Sequence, residues 1–200
     1  AGEGGMITTN NRKLYLLARE CHDHGHMLNE NLPRGRDRHR IYGFNYRMTE
    51  IQAVIATVQL EKLDYIVEKN RKNYSIIESK LLEIKGLKLR KIPSKCKPLC
   101  DTLIIQFDSK NTANKFVEKL QRKGFSTKNV PDAIEWHFAK YWGHMLKEIE
   151  VTLKNLQSNL KRTSDIIECC VALPIMVKPN FYQMNQQSND IKKIVIESIK

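Results

Sequence analysis

The sequence predicts a chain of mixed helices and strands, α/β or α+β in class, and three patterns predict it. Beyond Gly86, strand-like and helix-like stretches alternate. Between Thr49 and Gly86, apolar residues recur at helical spacing over many turns. Ahead of both, the glycine-rich run Gly2-Glu3-Gly4-Gly5 leads into β-branched residues.

Gly2 to Gly5 supply a flexible turn, and Met6-Ile7-Thr8-Thr9 favours a short strand. Asn10 or Asn11 caps the helix that follows, Leu14, Leu17, Ala18 and Cys21 share one of its faces, and Gly25 lies just past its end. From Met27 to Tyr42 the chain is polar, arginine-rich and broken by Pro33 and Gly35, the composition of a long loop. Thr49 and Gln52 form a capping box that opens a helical region closing before Gly86. Ile51, Val54, Ile55 and Val58 keep one face of it, but the stripe resumes at Leu60, Leu63, Ile66 and Val67 with a change of phase. That slip predicts a bend or two helices end to end.

Leu87-Lys88-Leu89-Arg90 and Thr102 to Phe107 read as strands, the second more deeply buried. Asn111 opens an amphipathic helix with Phe116, Val117 and Leu120 inside and Gly124 at its end, followed by a short extended piece from Phe125 to Thr127. The remainder predicts an aromatic element from Trp136 to Trp142, a helix around 153–160, a strand from Cys169 to Leu173 stopped by Pro174, and a closing helix from Asp190 to Ile199.

Composition narrows the functional classes. A hydrophobic fraction of 41% and a mean hydropathy of -0.49 suit a water-soluble domain, and no apolar run reaches the roughly 18 residues of a membrane span. The start carries no secretory-signal pattern, so a cytoplasmic protein is expected. Five irregularly spaced cysteines argue against a disulfide framework. A net charge of +12 favours anionic partners. Only Arg34-Gly35-Arg36-Asp37-Arg38-His39-Arg40 and Lys88 to Lys97 concentrate it, so a nucleic-acid grip is the rival reading and a solvated surface the preferred one.

Gly43-Phe44-Asn45-Tyr46-Arg47-Met48-Thr49-Glu50-Ile51-Gln52-Ala53 is the most specific stretch, set behind Ala1-Gly2-Glu3-Gly4-Gly5-Met6 with Asp23-His24-Gly25 between. In this order and at this interval the three segments resemble the DegT/DnrJ/EryC1/StrS family of sugar aminotransferases, which depend on pyridoxal 5'-phosphate. The resemblance implies the C-terminal portion of a type I α/β aminotransferase fold: a remnant of the large cofactor domain over 1–68, with the dimer-interface loop, and a small α/β domain over 69–200. It implies a homodimer in which Asn45 reaches across to the cofactor phosphate of the other subunit, where an amide NH2 donates without adding charge. Gly4 would let backbone pack close to the cofactor, and Arg47 offers a forked donor to a phosphate or carboxylate. From the residues alone, Asn45 also reads as a turn former and Arg47 as surface.

The same resemblance places the Schiff-base lysine a few residues ahead of Gly2, before residue 1. No catalytic residue is therefore assigned, and the isolated chain is expected not to turn over. The implied reaction moves an amino group from glutamate or glutamine to a keto-sugar or sugar aldehyde, nucleotide-linked or an octulosonate, for surface-polysaccharide or secondary-metabolite sugars. A dehydratase of the same family is the near alternative. Trp136-His137 falls where relatives present a histidine to the sugar, and most resembles the 8-amino-3,8-dideoxy-octulosonate branch. His137 is a substrate-site candidate with Trp136 as its support, against an aromatic face that simply fills a core. His22, His24 and His26 alternate, but Gly25 and the lack of matched ligand spacing argue against a metal site. Gly2-Glu3-Gly4-Gly5 is not a dinucleotide fingerprint, because a strand-like segment follows it where a helix is required.

Overall fold

The computed structural model describes residues 2–146, 155 and 158–200. The chain divides into two compact units, Ala1–Leu63 and Asp64–Lys200.

The first unit is built on α1 (Arg12–Cys21) and α2 (Glu50–Glu61). Asn11 caps α1 by accepting from the Lys13 and Leu14 amides, and Thr49 and Gln52 cap α2 reciprocally, as their spacing predicted. Arg34–Arg36 form one 3-10 turn in the long loop between them. The predicted strand at Met6 to Thr9 is absent: the segment is without secondary structure, because no described segment supplies the backbone partners that a strand needs. The buried residues of this unit are Glu20, Asp23 and Gly25, with no large apolar side chain among them. α2 buries nothing, and Ile51, Val54, Ile55 and Val58 are all exposed.

α3 (Leu63–Leu82) begins after Lys62, so the phase change in the apolar stripe marks two helices. The second unit then runs β1 (Lys88–Leu89), β2 (Thr102–Gln106), α4 (Lys110–Arg122), α5 (Ile134–His137), α6 (Gly143–Leu146), α7 (Lys161–Ile167), β3 (Cys170–Pro174) and α8 (Phe181–Ile199). Its sheet has the order β1-β2-β3 and is antiparallel throughout, with Leu103 opposite Leu173 and Ile105 opposite Val171. Leu103 and Ile105 face inward while Thr102, Ile104 and Gln106 are partly exposed, the alternation of a sheet covered on one side. Ala113, Phe116 and Leu120 of α4, Tyr74, Ile77 and Leu81 of α3, and Met184, Ile191 and Val195 of α8 complete one core. The segment after α4 extends the sheet: Lys128 N donates to Ala172 O, and Ala172 N donates to Val130 O.

The strands are shifted or shortened at their ends, β3 including Pro174, and two helix starts differ from the sequence reading. α4 starts at Lys110 because Ser109, not Asn111, caps it, accepting from Thr112 N. α8 starts at Phe181, well ahead of Asp190, because Asn180 and Gln183 form a second capping box. The polar run Gln183 to Asn189 hides that start, since only Met184 and Ser188 of its first two turns face inward. The helix expected around 153–160 falls mostly on residues outside those described. Among the described residues no helix is long and apolar enough to cross a membrane.

Phe116 is fully buried at the centre of this core. Phe116→Ala is expected to lower the stability of the second unit by about 3–5 kcal/mol, read from the urea midpoint. A change below about 1 kcal/mol would show that the packing is not as described.

Candidate active site

α1 ends in a tight left-handed turn. Gly25 N donates to Glu20 O at 2.8 Å, and Gly25 has φ +81°. Its conformation is one reason for a glycine and its neighbours are another: a Cβ here would lie 1.9 Å from Ile41 O. Gly43 meets the same constraint, since a Cβ there would lie 2.2 Å from Gly25 N. The two glycines let the Asp23-His24-Gly25 and Gly43-Phe44-Asn45 segments run backbone against backbone. His24 N donates to Phe44 O at 3.0 Å, Phe44 N to Cys21 O at 2.9 Å, and Tyr46 N to His22 O at 3.0 Å, so Asp23 and Asn45 sit directly opposite each other. The motifs read separately in the sequence are one seam.

Charge fastens this seam. Arg34 donates both ways to Asp23, at 2.7 and 2.8 Å, and Arg40 grips Glu20 with Nε at 3.0 Å and Nη2 at 2.7 Å. Arg47 Nη1 lies 3.3 Å from Asp23 Oδ1. Both carboxylates are buried, and a guanidinium on each offsets the cost of burying them. Arg34 and Arg40 are thus committed to the protein's own carboxylates, which weakens the case for a nucleic-acid grip. Sequence reading missed this pairing: Glu20 stands one turn beyond Leu16, off the face shared by Leu14, Leu17, Ala18 and Cys21, and Leu14 and Leu17 of that face are exposed.

Asn45 Oδ1 accepts from Arg47 N at 3.3 Å and from Arg47 Nε at 3.0 Å. The NH2 end of the carboxamide is therefore turned away from Arg47, with no partner among the described residues. Asn45, Arg47 and Gly4 line one cavity of about 410 Å³ with Glu3, Gly5, His22, Tyr46, Met48 and Gln52. Cavities that take small ligands span roughly 300–1,000 Å³. Three of the five candidate residues are brought together here. A Cβ on Gly4 would stand 2.9 Å from Met48 Cε, inside this cradle. An amide donor, a guanidinium and close backbone suit a phosphate, so the residues present fit the anionic end of pyridoxal phosphate.

Trp136 and His137 lie on α5 in the second unit. Trp136 is 80% exposed, which rules out the core-filling alternative for it, and His137 is exposed as well. Trp142 Nε1 donates to Trp136 O at 3.0 Å, and Lys140 Nζ donates to Ser164 Oγ at 2.6 Å, fixing the segment at two points. Glu168 completes that tether; hydrogen bonds from Lys110, Ser164 and Lys140 hold its carboxyl below the usual range. No group of three or more His, Cys, Asp and Glu among the described residues is placed to hold a metal. His22 Nδ1 instead contacts Arg19 O at 3.0 Å.

With this geometry in place, the comparisons with known proteins become specific. The family model of the DegT/DnrJ/EryC1/StrS aminotransferases matches residues 1–191. The chain belongs to that family. GDP-perosamine synthase of Caulobacter vibrioides is 40% identical over 83 residues, 42% of this chain and 21% of that protein. Helicobacter pylori PseC, an aminotransferase of pseudoaminic acid biosynthesis, superposes with TM-score 0.69 at 17% identity over 94% of this chain and 48% of its own. DesV of S. venezuelae gives TM-score 0.69 at 18% identity, over 94% of this chain and 45% of its own. At these identities the solved structures establish the fold, and the chain spans about half of their length. The fold is the one the resemblance implied, that of the pyridoxal-phosphate-dependent sugar aminotransferases.

The arginine loop carries a pH dependence of its own. Burial raises the Asp37 carboxyl, but the Leu28, Asn29 and Arg38 amides that donate to it outweigh this and hold it below its ordinary value. The unfolded chain therefore takes up the proton first as pH falls. The stability Asp37 contributes is complete above the ordinary aspartate pKa of about 3.9 and is lost as pH drops through the lower folded value. The Leu28 amide chemical shift, followed by NMR, is expected to titrate with a midpoint below about 3.9 and to show no such transition in Asp37→Asn. A midpoint at or above that value would contradict this account.

Proposed function

We propose that this chain forms part of a pyridoxal-phosphate-dependent aminotransferase that transfers an amino group from glutamate or glutamine to a keto-sugar or sugar aldehyde. The observation that carries the proposal is the convergence of Gly4, Asn45 and Arg47 on one cavity. When bound, the cofactor supplies the electron sink and the temporary amino carrier. The protein's part is to seat it. Asn45 presents its NH2 to the phosphate, Arg47 adds positive charge beside it, and Gly4 lets the backbone close in.

The working form in this proposal is a homodimer, in which the cavity lined by Gly4, Asn45 and Arg47 faces the neighbouring subunit's cofactor. The uncovered apolar stripe of α2, from Ile51 to Val58, supports a partner surface next to the cofactor loop. The sugar would meet His137 and the exposed Trp136, an imidazole for its hydroxyls and an aromatic face for its ring. A nucleotide-linked sugar is favoured over an octulosonate, because the curated relatives are named for a GDP-linked product, GDP-perosamine.

Asn45→Ala in the full protein is expected to weaken pyridoxal phosphate binding about tenfold, the loss of one hydrogen bond to a charged group, as followed by absorbance titration. Unchanged binding would remove Asn45 from the site.

A further inference from the structure

We propose that Asp23 is a positioning residue for the cofactor phosphate: tied to Arg34, it fixes the Arg47 guanidinium, which in turn decides which end of the Asn45 carboxamide faces the cavity. The inference rests on the aminotransferase reading of Asn45. It assigns a role to Arg34, which does not line the cavity.

The geometry is a relay of three contacts. Arg34 Nη2 donates to both Asp23 oxygens, at 2.7 and 2.8 Å, so the carboxylate cannot rotate freely. Asp23 Oδ1 holds Arg47 Nη1 at 3.3 Å, and the same guanidinium donates through Nε to Asn45 Oδ1 at 3.0 Å. Arg47 is thus oriented from both ends. A carboxamide has one accepting and one donating end, and occupying the oxygen leaves the NH2 to point elsewhere. Released from Arg47, Asn45 would as readily turn its oxygen toward an anion, which repels it. Asp23 is held at the right place for this by the seam, where it stands opposite Asn45 across the backbone bridge.

The relay acts only on a ligand group that meets the Asn45 amide, which in this reading is the phosphate. Asp23 contributes one negative charge and Arg34 and Arg47 one positive charge each, so the cluster carries a net charge of one positive beside the cavity. Removing Arg34 frees the Asp23 carboxylate to turn, and its hold on Arg47, and through Arg47 on the Asn45 oxygen, slackens. Asp23 is only 4% exposed at its side chain, whereas Arg34 is 57% exposed. Arg34 can therefore be replaced with little disturbance to packing, and the effect can be read separately from folding.

The test compares pyridoxal phosphate with pyridoxal, which lacks the phosphate, by absorbance titration of the full protein and its variants. Arg34→Ala is expected to raise the Kd for pyridoxal phosphate about tenfold while leaving that for pyridoxal within about twofold, with Arg34→Lys in between. Asp23→Asn should do the same where it folds. Arg34→Ala added to Asn45→Ala should cost little beyond Asn45→Ala alone, because the relay acts through that amide. Equal losses for both ligands, or no loss in Arg34→Ala while Asn45→Ala loses phosphate discrimination, would overturn the relay and leave the Asn45 assignment standing. Full discrimination retained in Asn45→Ala would overturn the assignment and the relay together.

Discussion

Glu20 and Asp23, at the end of α1, are the points to which both functional loops of the first unit are fastened. Arg40 and Arg34 descend on them from the arginine-rich loop, and Arg47 reaches Asp23 from the segment that carries Asn45. Between residues 2 and 63 no large hydrophobic side chain is fully buried, and Leu16, Leu28 and Ile41 are partly so. Arg34 and Arg40 are 57% and 49% exposed at their side chains, so solvent screens both pairs and replacing either arginine costs less than breaking a fully buried pair. The contacts that fasten the seam in this unit are ion pairs and backbone hydrogen bonds. Forked guanidinium contacts also fix angles, which apolar packing does poorly, and angles are what a cofactor loop requires.

The second unit is held together by the opposite means. Its sheet and the helices α3, α4 and α8 close over Leu103, Ile105, Phe116 and Val195, all fully buried. Polar contacts there tie down periphery. Asn73 Nδ2 donates to Met176 O at 2.7 Å, and Lys192 pairs with Glu83 to join α8 to the end of α3. Lys140, anchored on Ser164 and Glu168, holds an aromatic segment whose Trp136 ring remains in solvent.

Local signals were the legible part of the sequence. Asn11, Thr49 with Gln52, and the phase slip near Leu60 located α1, α2 and the break before α3, because capping and periodicity are short-range effects. Asn45, Arg47 and Gly4 were legible through family resemblance, and the cavity they share required the fold. What stayed hidden was pairing over distance. Arg34 is 11 residues from Asp23 and Arg40 is 20 from Glu20, so an arginine-rich loop read as a surface patch. Gly25 and Gly43 looked like ordinary turn glycines until the chain brought their backbones into contact. The start of α8 was masked for a different reason, since glutamines and asparagines filled the outer face of its first turns.

The central claim is that buried carboxylates clamped by arginines hold the seam that presents Asn45. Amide hydrogen exchange in the Glu20→Gln, Asp23→Asn double variant tests it most directly. The account predicts that protection at His24, Phe44 and Tyr46 falls by at least about tenfold while Leu103 to Phe107 in the second unit keep theirs. Seam amides that remain as protected as in the unaltered protein would contradict it.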